Sequence, residues 1–113
     1  MMRAKVVLVP FPYDDLSDVK PRPAVCMSEP IGKLQHVVLA FVTSQTKHEP
    51  LPTDLMLDST HRSFAATGLR VSSTIRVHRL LVLRKTSIHR ELGIISPEIW
   101  SELQDRIKRL FQL

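Results

Sequence analysis

The stretch HVVLAFVTSQ, residues 36–45, is apolar without a break from Val37 to Val42 and turns polar at Thr43. A strand covered on one face alternates apolar and polar side chains, so an unbroken run of this length marks a strand buried on both faces. Its content of Val and Phe favours a strand over a helix. The run is therefore read as a central strand that leaves the core at Thr43, and the remaining segments are placed around it.

Upstream, Lys5 to Phe11 is rich in Val and Leu and ends in Pro-Phe-Pro, which fits a strand running into a fixed turn. YDDLSDVKPRP supplies turn chemistry over a length more typical of functional loops than of tight connections. Ala24 to Ser28 reads as a second strand, with Pro30, Gly32 and Lys33 marking a turn before the central run. Downstream, a polar, Pro-bearing segment reaches Pro52, TDLML reads as a short edge strand, and DSTHRSFAATG holds possible helical turns. SSTIRVHRLLVLRK is a strand pair or one long bent strand. Alternation along it sets Arg76 and His78 on one face and Ile75 and Val77 on the other. The chain closes with SPEIWSELQDRIKRLFQL, a helix with Ser96 as N-cap, Pro97 at the first position and Glu98 at the positive end. Ile99, Trp100, Leu103, Ile107, Leu110 and Phe111 form the stripe expected to pack on the sheet, with Trp100 as an anchor.

At 113 residues, 43% hydrophobic and 24% charged, the chain matches one globular domain over residues 1–113. Its apolar stretches fall well short of a membrane span and no signal-peptide pattern flanks them, so a soluble, cytoplasmic protein without a membrane partner is expected. The single cysteine, Cys26, excludes an intrachain disulfide and reads as a small core residue. His36, His48, His61 and His89 are scattered without metal-ligand spacing and read as surface residues, so neither metal nor cofactor is expected.

The net charge of +5 is unevenly placed. From His61 to Arg90 the chain carries Arg62, Arg70, Arg76, Arg79, Arg84, Lys85 and Arg90 and no Asp or Glu, whereas residues 1–60 hold six Lys/Arg against seven Asp/Glu. An acid-free central third suits a polyanion partner, and equally a solvated basic face balanced by acids elsewhere.

VVLVPFPYDDLSDVKPRPAVCMS, the strand end FVTSQ, TDLML, GLRVSSTIRVHRLLVL and the late ELG, in this order and spacing, resemble the MazF/PemK toxins of type II toxin-antitoxin systems over almost the whole chain. The resemblance implies a mainly β (α+β) fold, an SH3-like small β-barrel of the CcdB/MazF type with short helices and a C-terminal helix packed on the sheet. It further implies a homodimer and a metal-independent endoribonuclease neutralised by a cognate antitoxin. The family's Arg after the first loop falls on Arg22, and its hydroxyl pair at the end of the central strand on Thr43 and Ser44. Of the Arg-x-Asp pair of PemK-like members, the Arg is Arg76 and the Asp position holds His78. Where the family usually has Gly-Asp near the start, this chain has Ala4-Lys5.

The chemistry asks for these residue types independently. Cutting RNA without a metal means activating a 2′-hydroxyl, stabilising a phosphorane and protonating a 5′-oxygen, which yields 2′,3′-cyclic phosphate and 5′-hydroxyl ends. Arg22 and Arg76 offer permanent charge and forked donors. Thr43 and Ser44 offer hydroxyl donors, although neighbours on a strand point to opposite faces unless the strand ends or bulges there. His78 titrates near neutrality and is the candidate proton carrier, or a phosphate contact. Lys20, Arg70, Arg79 and Arg84 are expected to hold single-stranded RNA. Read without the resemblance, Arg22 is a loop cation paired with Asp14, Asp15 or Asp18. Two other functions fit such a chain: a same-fold toxin that binds a protein target, as CcdB-type gyrase poisons do, and a catalytically silent binding module.

Overall fold

The computed structural model describes residues 1–10 and 20–113; the loop carboxylates Asp14, Asp15 and Asp18 lie outside the described residues. Strands β1 (Lys5–Pro10), β2 (Pro21–Cys26), β3 (His36–Thr43), β4 (Asp54–Leu57), β5 (Ser73–Arg84) and β6 (Arg90–Ile94) form one antiparallel sheet in the order β4-β5-β3-β2-β1-β6. The sheet curls into a half-barrel. The apolar run read first is β3, inside the sheet, and TDLML supplies the edge strand β4.

Both faces of β3 are covered, as its unbroken hydrophobicity requires. Ala40 and Val42 pack with Val6, Val25, Ile75 and Leu103 on the helix side. Val37, Leu39 and Phe41 pack with Val7, Val9 and Cys26 on the other side. Each fully buried Val or Leu contributes on the order of 2 kcal/mol. Cys26 is wholly buried, and that burial, with Glu91 and Glu29 opposing a thiolate and Lys5 favouring it, pushes its pKa up to about 12.

The start of one strand departs from the sequence reading, and the alternatives left open for another are resolved. β2 begins at Pro21 rather than Ala24. Only Ala24, Val25 and Cys26 pair with β3, while Pro21, Arg22 and Pro23 pair with β1 alone. The two prolines thus occupy the stretch where a missing N–H costs the β2–β3 ladder nothing. SSTIRVHRLLVLRK is a single long strand, β5, with a bulge: Ala40 pairs with Leu80 but Phe41 pairs with Arg76, leaving residues 77–79 unmatched. A bulge bends a strand and re-aims its side chains.

The closing helix α1 (Pro97–Phe111) starts as expected, with the Ser96 hydroxyl accepting from the Ile99 N–H at 3.2 Å. Ile99 and Leu103 are buried, and Trp100, Ile107 and Leu110 pack partly against the same cluster. Trp100 also carries the Arg3 guanidinium over its ring at 5.6 Å. Phe111 does not join the stripe and is 56% exposed. It lies twelve residues beyond Ile99, about 120° around the helix from it.

Two backbone positions fix the framework of the site. A 3-10 turn at Ala65–Thr67 runs against β6 so closely that a Cβ on Gly68 (φ +72°) would sit 2.0 Å from the Leu92 carbonyl oxygen, and one on Gly93 2.1 Å from that of Ala66. Ala4 also stands at φ +75°, a left-handed conformation that costs a Cβ-bearing residue about 1–2 kcal/mol. Lys5 beside it pairs with Glu91 across β1 and β6 at 2.8 Å. Among the described residues no helix is long and apolar enough to cross a membrane.

Candidate functional site

Because β2 and β3 stop pairing at Ala24 and Phe41, their continuations diverge, and the space between them opens as a cavity of about 630 Å³. Arg22 and Pro23 from β2 form one wall, and Phe41 to Gln45 form another. The 3-10 turn and its close packing on β6 bring Gly68 to Val71 to a third side, and Arg90 and Leu92 come from β6 itself. Five guanidinium-bearing residues, Arg22, Arg70, Arg76, Arg79 and Arg90, line this one space, and no Asp or Glu stands among the described lining residues. A cavity with this sign of charge and partly apolar walls concentrates anions.

β3 ends at Thr43, so the strict alternation of a strand lapses there and both Thr43 and Ser44 line the cavity. The Thr43 hydroxyl oxygen accepts from the Gln45 N–H at 3.1 Å, which fixes the turn and leaves the hydroxyl proton available to a ligand. Arg79 stacks over the Phe41 ring, 4.5 Å from its centroid.

Arg76 is only 9% exposed and is held from two directions. Its cross-strand partner is Asp54 on β4, whose Oδ2 accepts from Arg76 Nη1 at 3.0 Å and from the Leu51 N–H at 2.9 Å. The same Nη1 donates to the Glu49 carbonyl at 3.0 Å and meets Nδ1 of His48. Asp54 Oδ1 is buried and has no hydrogen-bond partner among the described residues. The acid that the Arg-x-Asp pattern lacks at position 78 is therefore supplied to Arg76 from the neighbouring strand.

Of the residues singled out by sequence, Arg22, Thr43, Ser44, Arg70, Arg76 and Arg79 converge on the cavity. His78, Lys20 and Arg84 do not line it. The alternation that set Arg76 and His78 side by side fails at the bulge: Arg79 takes a place on the wall, while His78 is exposed outside it. Partial desolvation lowers the His78 pKa from 6.5, with Arg76 and Arg79 adding to the effect and Asp54 opposing it. Lys20 is exposed just before β2, and Arg84 lies eight residues past Arg76, on the order of 25 Å along the strand. Arg90, His48 and Asp54 were not singled out. Asp54 was accessible in principle, since an edge strand TDLML paired with the Arg76 strand brings its acid beside that arginine. Nothing in the spacing of His48 marks it. Among the described residues no group of three or more His, Cys, Asp or Glu is arranged to hold a metal ion.

The family model described as PemK-like, MazF-like toxin of type II toxin-antitoxin system matches residues 2–111. Among solved structures, the Mycobacterium tuberculosis toxin MazF-mt6 is similar with a TM-score of 0.73 at 19% identity, over 96% of this chain and 97% of that one. An endoribonuclease in complex with its cognate antitoxin, from a mycobacterial species, is similar with a TM-score of 0.72 at 14% identity, over 100% of this chain and 96% of that one. At such identities these likenesses establish the fold, a mainly β half-barrel with a C-terminal helix. No curated protein matches the sequence.

Proposed function

The chain belongs to the PemK-like, MazF-like toxins of type II toxin-antitoxin systems, and from that premise we propose that it is a metal-independent endoribonuclease acting on single-stranded RNA in the cytoplasm. The observation that carries this reading is the gathering of Arg22, Arg76, Thr43 and Ser44 around one cavity whose described walls are cationic and free of carboxylates.

Each group has a role that fits its chemistry. Arg22, held between two prolines where β2 faces the cavity, and Arg76, fixed by Asp54, donate to the non-bridging oxygens of the scissile phosphate and stabilise the phosphorane's added charge. The hydroxyls of Thr43 and Ser44 donate to the same oxygens. Arg70, Arg79 and Arg90 hold the flanking phosphates, and the stacked Arg79–Phe41 pair offers a planar surface to a base. Attack by the neighbouring 2′-oxygen leaves 2′,3′-cyclic phosphate and 5′-hydroxyl ends. A cognate antitoxin with an acidic segment that folds on binding suits the same cationic walls, and two copies of the chain related by a two-fold axis would frame one longer channel.

The test is incubation of the purified protein with a long single-stranded RNA in EDTA, followed by sequencing of the new 5′ ends and analysis of the 3′ termini. Cleavage at a recurring short motif with cyclic-phosphate ends is expected. An RNA left intact, together with inhibition of DNA gyrase, would replace this reading with a protein-binding toxin.

A further inference from the structure

The cavity holds one histidine that the sequence reading placed on the surface. His48 is half-buried and lines the cavity with Arg22, Thr43 and Ser44. Its Nδ1 lies between two groups of opposite kind: Nη1 of Arg76, which can only donate, and the Glu49 carbonyl at 3.3 Å, which can only accept. A neutral Nδ1 accepts from Arg76, and a protonated Nδ1 donates to the carbonyl. The ring is thus satisfied in both protonation states without moving.

Arg76 keeps its hydrogen bonds in either state, and Asp54 beside it offsets part of the added charge. Its Nη1 carries two hydrogens and faces three acceptors, His48 Nδ1, the Glu49 carbonyl and Asp54 Oδ2. Losing His48 as an acceptor leaves it fully bonded. Nε2 of His48 takes no hydrogen-bond partner among the described residues. A ring anchored through one nitrogen, with the other nitrogen available on the wall of a cationic cavity, has the arrangement of a proton donor.

We propose that His48 is the catalytic acid of the reaction, giving its Nε2 proton to the departing 5′-oxygen while its Nδ1–H stays on the Glu49 carbonyl. The proposal rests on the endoribonuclease reading. In the step, the 2′-oxygen forms its bond to phosphorus as its proton passes to water. The bond from phosphorus to the 5′-oxygen breaks, its electron pair stays on that oxygen, and the oxygen takes the Nε2 proton. His48 is left neutral with Nδ1–H on the Glu49 carbonyl, and solvent restores the proton at Nε2.

The experiment compares two linkages in single-turnover cleavage of a short RNA bearing the mapped cleavage site: the ordinary phosphodiester, and the same linkage with sulfur in place of the 5′-bridging oxygen. A thiolate leaves without a proton, so a missing acid matters only for the oxygen linkage. His48→Gln keeps an acceptor for Arg76 but has no proton to give. It is expected to slow the ordinary linkage by about a hundredfold, the low end for a general acid, while cutting the sulfur linkage within a few-fold of the parental rate. Equal loss on both linkages would make His48 a support for Arg76 or for the fold, and no loss on either would remove it from the mechanism. Selective loss on the ordinary linkage in His78→Asn but not in His48→Gln would give the role to His78. A parental chain that cuts neither linkage would instead overturn the endoribonuclease reading itself.

Discussion

Replacing Asp54 by Ala removes the carboxylate that holds Arg76 in a site where the two side chains are only 10% and 11% exposed. Breaking a pair this buried by deleting one partner costs about 3–5 kcal/mol, because the remaining charge stays desolvated. Two features reduce that figure. Arg76 Nη1 keeps the Glu49 carbonyl and His48 as acceptors, and the substitution also removes Oδ1, a buried oxygen with no partner that itself costs on the order of 1 kcal/mol or more. The net expectation is a loss of about 2–3 kcal/mol. At about 4 °C per kcal/mol for a domain of this size, Tm should fall by roughly 8–12 °C. Thermal unfolding followed by circular dichroism reads this directly. In the double variant Asp54→Ala with Arg76→Met the uncompensated cation is gone, so it should melt above Asp54→Ala alone. A single variant that melts within about 2 °C of the parent, well under 1 kcal/mol on that scale, would refute the account of the pair as a buried, coupled unit. So would a double variant in which the two losses simply add.

Three further expectations follow from the same geometry. Arg22→Lys keeps the charge but not the fork, and should cut RNA on the order of a hundredfold more slowly than the parent in single-turnover assays, with an unchanged circular dichroism spectrum; parental rates would remove the forked contact. Cys26, wholly buried and with its pKa pushed up to about 12, should resist thiol reagents in the native protein at neutral pH and react fully only in denaturant, as counted by mass spectrometry. Because the folded His78 pKa lies below its ordinary 6.5, its NMR titration midpoint should fall under that value. The folded state then binds protons less readily than the unfolded chain, so this side chain's effect on stability is absent well above pH 6.5 and becomes destabilising as pH falls through it. A midpoint at or above 6.5 would contradict the partial desolvation, with Arg76 and Arg79 nearby, assigned to it.

The sequence was most informative where a pattern is long. The unbroken run at residues 37–42 and the capped, periodic segment from Ser96 each carry enough repetition to set both type and burial, and the structure has β3 and α1 there. The resemblance to a family, carried by motifs spread over the chain, supplied the curled sheet that no single run implies. Reading failed where a local rule is overridden by a partner. Strand β6, RELGI, has no clean alternation, and its pairing with β1 was not expected from composition. The β5 bulge depends on how residues 77–79 meet β3, a fact of register that the sequence of β5 does not contain. It is this bulge that moved Arg79 to the wall in place of His78. His48 was invisible for the same reason, since it becomes interesting only through contact with Arg76 across 28 residues of chain, whereas Asp54 needed only the pairing of TDLML with the Arg76 strand to be found.

The cavity walls have a consequence for the order of events during synthesis. They draw on Leu8 of β1, Arg22 of β2, Thr43 at the end of β3, Arg76 of β5 and Arg90 of β6, and β1 pairs with β6 from Lys5–Ile94 to Leu8–Arg90, joining the two ends of the sheet-forming chain. A chain emerging from the ribosome at some 5–20 residues per second therefore displays its arginines long before it possesses the enclosure that they line. If the protein cuts RNA as proposed, the message still being translated would be spared, because the half-made product has charges but no site. Ribosome-arrested chains that stop short of Arg90 are accordingly expected to be inert toward RNA.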